Sequence, residues 1–151
     1  MDYIKALKQN EDFEYWIGVN DIEIAYAEKE LGVIFPTQYK KFLSECGMCN
    51  FGDVNIIGIA KDTSKISYPI IELTKQIRNE IDIDDDFIVL SYDVGEYLTL
   101  YKVSKKEQIE DTFVFGTIVS YDENQKMKIG KMEKIFDSFE QYFEDFIELG
   151  Q

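Results

Sequence analysis

Apolar residues between Asn20 and Gly47 recur at helical spacing, interrupted by one short apolar corner. In NDIEIAYAEKELGVIFPTQYKKFLSECG, Ile24, Ala27, Glu28 and Leu31 share one side of a first helix. Asn20 is placed to cap it, with Glu23 three residues on as the reciprocal partner. Gly32 suits the left-handed turn that stops a helix. Pro36 then opens a second helix, where a missing N–H costs nothing, over about Thr37 to Glu45. Tyr39, Phe42 and Leu43 form its apolar stripe and Gly47 ends it. Upstream, Asp2 to Glu14 reads as an opening helix with Ile4 and Leu7 on one side, and Trp16 and Ile17 pack at the entry to the next.

From Phe51 the period changes. Val54, Ile56, Ile57 and Ile59 are β-branched or closely spaced and predict a strand. Pro69 to about Glu80 is helical again, with Ile70, Leu73, Ile77 and Ile81 three or four apart. Phe87 to Tyr92 and Tyr97 to Val103 read as strands around the turn Asp93-Val94-Gly95-Glu96. Thr112 to Tyr121 holds another strand or hairpin, in which Gly116 marks a bulge or turn. The polar turn Asp122-Glu123-Asn124 leads to a short strand near Met127 to Ile129.

The chain closes on an amphipathic helix from about Ser138 to Leu149. Asp137 or Ser138 caps it, with Glu140 or Gln141 closing the box. Phe139, Tyr142, Phe143, Phe146 and Ile147 form its inner face, and Glu140, Glu144, Asp145 and Glu148 its outer one. This order predicts a single α+β domain. Its largely antiparallel sheet is packed by N-terminal helices and by the closing helix.

Ile24, Glu28, Leu31-Gly32, Pro36, Tyr39-Lys40, Phe42-Leu43 and Gly47 resemble the signature I-x3-E-x2-L-G-x3-P-x2-Y-K-x-F-L-x3-G of the SUKH superfamily, the Smi/Knr-like proteins. The hairpin LSYDVGEYLTLY is similar to that family's aspartate-glycine hairpin, and IFDSFEQYFEDFIEL to its closing S-F-x-x-F helix. The family's second glycine after the position of Gly47 is Met48 here. The resemblance covers most of the chain. It implies a SUKH-like domain and, since many members are immunity proteins of bacterial toxins, a stoichiometric inhibitor without chemistry of its own. The toxins are often nucleases, and ribonuclease is favoured slightly over deoxyribonuclease. The other role the superfamily implies is a regulatory scaffold with a non-toxin partner, although such members usually carry disordered extensions.

Charge narrows the partner. Sixteen Lys and Arg stand against 30 Asp and Glu, a net charge of −14 over 151 residues. Free nucleic acid is a poor ligand for such a surface, because affinity for it comes from cations on phosphates. A basic protein is a good one, since opposite fields steer encounter. A nuclease holds its substrate with Lys and Arg, so its toxic domain fits that description.

There is no histidine, which removes Ser-His-Asp and Cys-His nucleophile sites, His-based zinc sites and the commonest general base near neutrality. Cys46 and Cys49 form a lone C-x2-C, half a zinc site, at the end of a helix where a redox motif would want a strand. They read as ordinary, semi-buried thiols. Neither G-x-x-x-x-G-K nor G-x-G-x-x-G occurs. No enzyme motif, cofactor or metal is expected. No signal peptide or membrane segment is visible, which points to a reducing cytoplasm and no membrane partner. The chain is expected to be a monomer or a weak homodimer.

Three sets of residues remain as contact candidates. Asp82, Asp84, Asp85 and Asp86 form the densest acid run, IDIDDDF. Counted as a calcium loop it has Phe87 at the sixth position and Asp93 at the twelfth, where glycine and glutamate are needed. It reads as a solvated turn or as an electrostatic contact for a basic partner. Asp93 and Glu96 flank the hairpin glycine, with Tyr92 and Tyr97 as aromatic anchors. Glu140, Glu144 and Glu148 form a second face. Glu28, mid-helix and facing the Ile34-Phe35-Pro36 corner, is expected to bond backbone donors of that corner rather than to catalyse.

Overall fold

The computed structural model describes residue 5, residues 7–93 and residues 96–150. The two signature helices form as expected. Helix α1 (Asp21–Leu31) is capped by Asn20, whose Oδ1 accepts from Glu23 N at 2.9 Å while Glu23 Oε1 accepts from Asn20 N at 2.9 Å. Burial alone would raise the Glu23 pKa, but the Asn20 amide and the Lys61 ammonium, 2.9 Å away, hold it below the ordinary value. Gly32 ends α1 in the left-handed region at φ 69°. Pro36 precedes α2 (Thr37–Cys46), one position earlier than expected, with extended backbone at ψ 153°.

Glu28 does what its place on α1 predicts. Phe35 N donates to its Oε2 at 2.7 Å, and Lys40 Nζ lies 3.5 Å from the same oxygen. The carboxylate thereby fixes the corner between the helices. Tyr39, Phe42, Leu43 and Cys46 of α2 are fully buried. They meet the closing helix α4 (Phe139–Gly150) through Phe139, Phe143 and Phe146, with the Tyr39 and Phe139 rings edge to face at 5.6 Å. Such pairs add to the area they bury.

The main sheet is antiparallel, in the order β10 (Glu133–Phe136), β8 (Val114–Tyr121), β7 (Tyr97–Lys102), β6 (Phe87–Asp93), with β9 (Met127–Ile129) also on β8. Helix α3 (Pro69–Glu80) matches the predicted span. Alternation along β6 sorts the two faces. Ile88 and Leu90 join the α2/α4 core, while Phe87 and Val89 join a second cluster with Ile77 of α3, Leu98, Leu100 and Val119. The free edge of β6 is covered: Val89 N donates to Thr74 Oγ1 at 3.1 Å, and Leu90 O accepts from Ile57 N at 2.7 Å.

Several expectations change. The opening helix lies partly outside the described residues, and Phe13–Tyr15 is a strand, β1, because Phe13 packs edge to face on Phe51 of β2 (Cys49–Phe51). The single strand expected from Val54 to Ile59 is shorter. Gly52, at φ 63°, turns β2 back into β3 (Val54–Ile56), and Ile57 and Ile59 then bond Leu90 O and Gly47 O instead of a ladder. A two-stranded ribbon, β4 (Ala60–Lys61) and β5 (Ile66–Ser67), and strand β10 were not expected. Gly116 marks neither bulge nor turn; β8 runs through it. Ile17 is 43% exposed rather than packed. Cys46 and Cys49 are fully rather than partly buried.

Candidate functional site

The acids singled out in the sequence do not form one patch. β6 separates them: the run 82–86 precedes its first residue, and Asp93 is its last. Six strand steps put the two ends roughly 20 Å apart.

At the first end two of the four acids are answered. Asp86 Oδ2 lies 2.7 Å from Lys102 Nζ, and Asp85 Oδ2 lies 3.4 Å from Lys105 Nζ. Arg78 reaches the same loop, donating to the backbone oxygens of Asp85 and Phe87. Asp84, Asp85, Asp86, Ile83 and Lys105 line a shallow recess of ≈ 360 Å³. Asp82 and Asp84 are exposed, without a cation partner among the described residues.

At the second end the sheet register builds a row. Asp93 faces Tyr97 across β6 and β7, and Tyr97 faces Ile118 across β7 and β8. The next row on the same face runs Ser91, Thr99, Gly116, Glu133. Ile118 is 67% exposed, an unusual position for a strand isoleucine beside a core face. The turn bond Glu96 N to Asp93 O, 2.9 Å, closes the hairpin, whose tip at residues 94 and 95 lies outside the described residues. Glu96 is exposed. Tyr92 points to the opposite face, where its hydroxyl meets that of Tyr121 at 2.5 Å.

Tyr142 is buried, which pushes its phenol well up, and nearby Cys49, Asp93 and Asp145 push it further. Asp145 lies one turn from Tyr142 on the same helix. Glu140 turns toward Gln38, whose Nε2 donates to it at 3.5 Å. Glu144 and Glu148 face outward. No ion pair among the described residues engages Asp93, Glu96, Glu133 or Asp145. The hairpin end thus joins exposed Ile118 and half-buried Tyr97 to carboxylates that have no ion pair among the described residues. Such a surface complements a cationic one by charge.

Sequence reasoning missed Ile118, Gly116 and Glu133, which reach the site only through cross-strand register. The alternation of Ile118 between Thr117 and Val119 was visible, but not which face the sheet leaves open. It also missed a second exposed apolar area on α1, where Ile22 is 81% and Tyr26 48% exposed. The two cysteines offer no reactive site: burial pushes the Cys46 thiol up to about 11 and raises Cys49 as well. Among the described residues no group of three or more acids or thiols is placed to hold a metal ion. None of the described helices is long and apolar enough to cross a membrane.

The family described as SMI1-KNR4 cell-wall matches residues 1–148, nearly the whole chain. The chain belongs to the SMI1-KNR4 family of the SUKH superfamily. No curated protein matches it.

Proposed function

We propose that this member of the SMI1-KNR4 family is an immunity protein that binds and neutralises the toxic domain of a cognate bacterial toxin, a nuclease and more specifically a ribonuclease. It acts by occupancy and catalyses nothing. The observation that carries the reading is the hairpin end: around Tyr97 and Ile118, Asp93, Glu96 and Glu133 have no ion-pair partner among the described residues. Unanswered acids beside exposed apolar surface are what a basic substrate cleft requires of a protein that must cover it. The net charge of −14 adds a long-range field that accelerates encounter. Asp82 and Asp84, together with Glu144 and Glu148, extend that field, while the direct contact falls on the hairpin row.

The test is co-purification of the tagged chain with the toxic domain encoded by the neighbouring gene, followed by titration calorimetry at low and high salt. A complex of nanomolar or tighter affinity that weakens with salt, and protection of cells expressing the domain, are the expected results. No complex and no protection would move the function to a regulatory scaffold with another protein partner.

A further inference from the structure

Tyr97 does not stand upright on the sheet. A Cβ built on Gly116 would lie 2.0 Å from Tyr97 Oη, 2.6 Å from Cζ and 2.8 Å from Cε2. The ring therefore leans diagonally off its own row and crosses β8 in the space that Gly116 leaves empty. Beyond Gly116 stands its ladder partner Glu133 on β10, and behind Tyr97 stands its ladder partner Asp93 on β6. The phenol thus bridges a track with a carboxylate at each end. Three strand spacings and one two-residue step along the strands make that track about 16 Å from Asp93 to Glu133. The acids have no cation of their own among the described residues.

We propose that Tyr97, laid down over Gly116, is a seat for an arginine side chain of the protein partner. The guanidinium stacks on the half-buried phenol, and the charges of Asp93 and Glu133 at the two ends of the track hold it there. An aromatic face attracts a cation within about 6 Å of its centre. Arginine suits the seat better than lysine, because its ion is planar, weakly hydrated and able to stack while its edge donates to carboxylate. Gly116 is the positioning residue: it touches no partner, but any side chain there would displace the ring. Its role in β8 requires no unusual backbone, so the empty space itself is what the glycine supplies. The inference rests on the reading of the hairpin end as the binding face, but its test does not need the toxin.

The chain, carrying ¹³C-labelled tyrosine rings and ¹⁵N, is titrated with capped triarginine and capped trilysine peptides and followed by NMR. Triarginine is expected to move the Tyr97 ring and the Ile118 amide saturably, with several-fold tighter binding than trilysine. Tyr97→Leu, which keeps an apolar side chain, is expected to abolish the preference for arginine, and Gly116→Ala to weaken it. Equal responses to the two peptides, responses spread over Asp82 to Asp86 and the α4 acids alike, or an unchanged preference in Tyr97→Leu would each overturn the seat. In the toxin titration, wild-type affinity of the Tyr97→Leu variant would overturn the seat and leave the inhibitor reading standing. A chain that binds triarginine as expected but forms no toxin complex would support the seat and overturn the toxin.

Discussion

Tyr101 donates its phenolic proton to Asp111 Oδ1 at 2.6 Å, and the same carboxylate receives the start of α4. Phe139 N donates to Oδ1 at 2.8 Å and Glu140 N to Oδ2 at 3.3 Å. One acid in a connecting segment thus joins the middle of the sheet to the closing helix. It satisfies amides that helix geometry leaves open. Asp111→Ala is expected to cost about 3 kcal/mol, the sum of a charge-assisted hydrogen bond and a helix cap. Asp111→Asn, which retains one acceptor, is expected to cost roughly half as much. Urea unfolding measures both, and a loss below about 1 kcal/mol for the alanine variant would show that Ser138 alone caps α4.

Stability is expected to be flat near neutrality and to fall on the alkaline side. With no histidine, the commonest group that titrates between pH 5 and 8 is missing. Burial raises the phenols of Tyr39, Tyr101 and Tyr142 and the thiols of Cys46 and Cys49 above their ordinary values. The folded chain then holds protons that the unfolded chain releases, so each group's contribution is complete below its unfolded pKa and declines above it. The decline begins near the unfolded thiol value of 9.0 and steepens past the phenol value of 10.0. Each group adds a slope of about 1.4 kcal/mol per pH unit. Chemical unfolding across pH 6 to 11 tests this, and a stability unchanged at pH 10.5 would contradict it.

Two glycines separate packing from backbone conformation. A Cβ on Gly58 would meet Gly47 O at 2.0 Å and Leu43 Cδ2 at 2.9 Å, so two backbone segments touch there with nothing able to yield. Gly52, at φ +63°, has nothing within 4 Å of a built Cβ. Gly58→Ala is expected to cost about 3 kcal/mol by overpacking, and Gly52→Ala only about 1 kcal/mol for the left-handed turn. Thermal unfolding of the two variants should rank them in that order; the reverse order would mean that the Gly47–Gly58 contact relaxes freely.

Local signals were legible wherever a helix was decided by its own residues. Asn20, Glu23, Gly32 and Gly47 hold the places their chemistry predicts, and α3 has its predicted limits. Strand Phe13–Tyr15 and strand β10 were not legible, because each exists only through a partner far along the chain, Phe51 for the first and Val114 to Gly116 for the second. The candidate site divides in the same way. Asp93, Glu96 and Tyr97 are marked by the turn. Ile118, Gly116 and Glu133 join them only through ladder register, which composition and period do not encode. The cap from Asp111 was equally hidden, since it reaches 28 residues along the chain to Phe139.

The separation of the two acidic ends makes the binding face testable by charge alone. Asp85 and Asp86 share their field with Lys105 and Lys102, whereas Asp93 and Glu96 have no ion pair among the described residues. Two double reversals, Asp84→Lys with Asp85→Lys, and Asp93→Lys with Glu96→Lys, move the net charge of −14 by the same amount. Any difference between them must come from where the charge sits. If the hairpin end docks on a basic cleft, its reversal is expected to slow association about tenfold at low salt and to raise the dissociation rate as well. The effect on association should shrink once the screening length falls to about 3 Å in molar salt. Reversal at the other end is expected to slow association less and to leave dissociation unchanged, because it alters steering without touching the contact. Stopped-flow mixing with the toxic domain distinguishes these outcomes. Equal effects on both rates from both variants would show that net charge alone governs binding and that the row from Asp93 to Ile118 is not the contact.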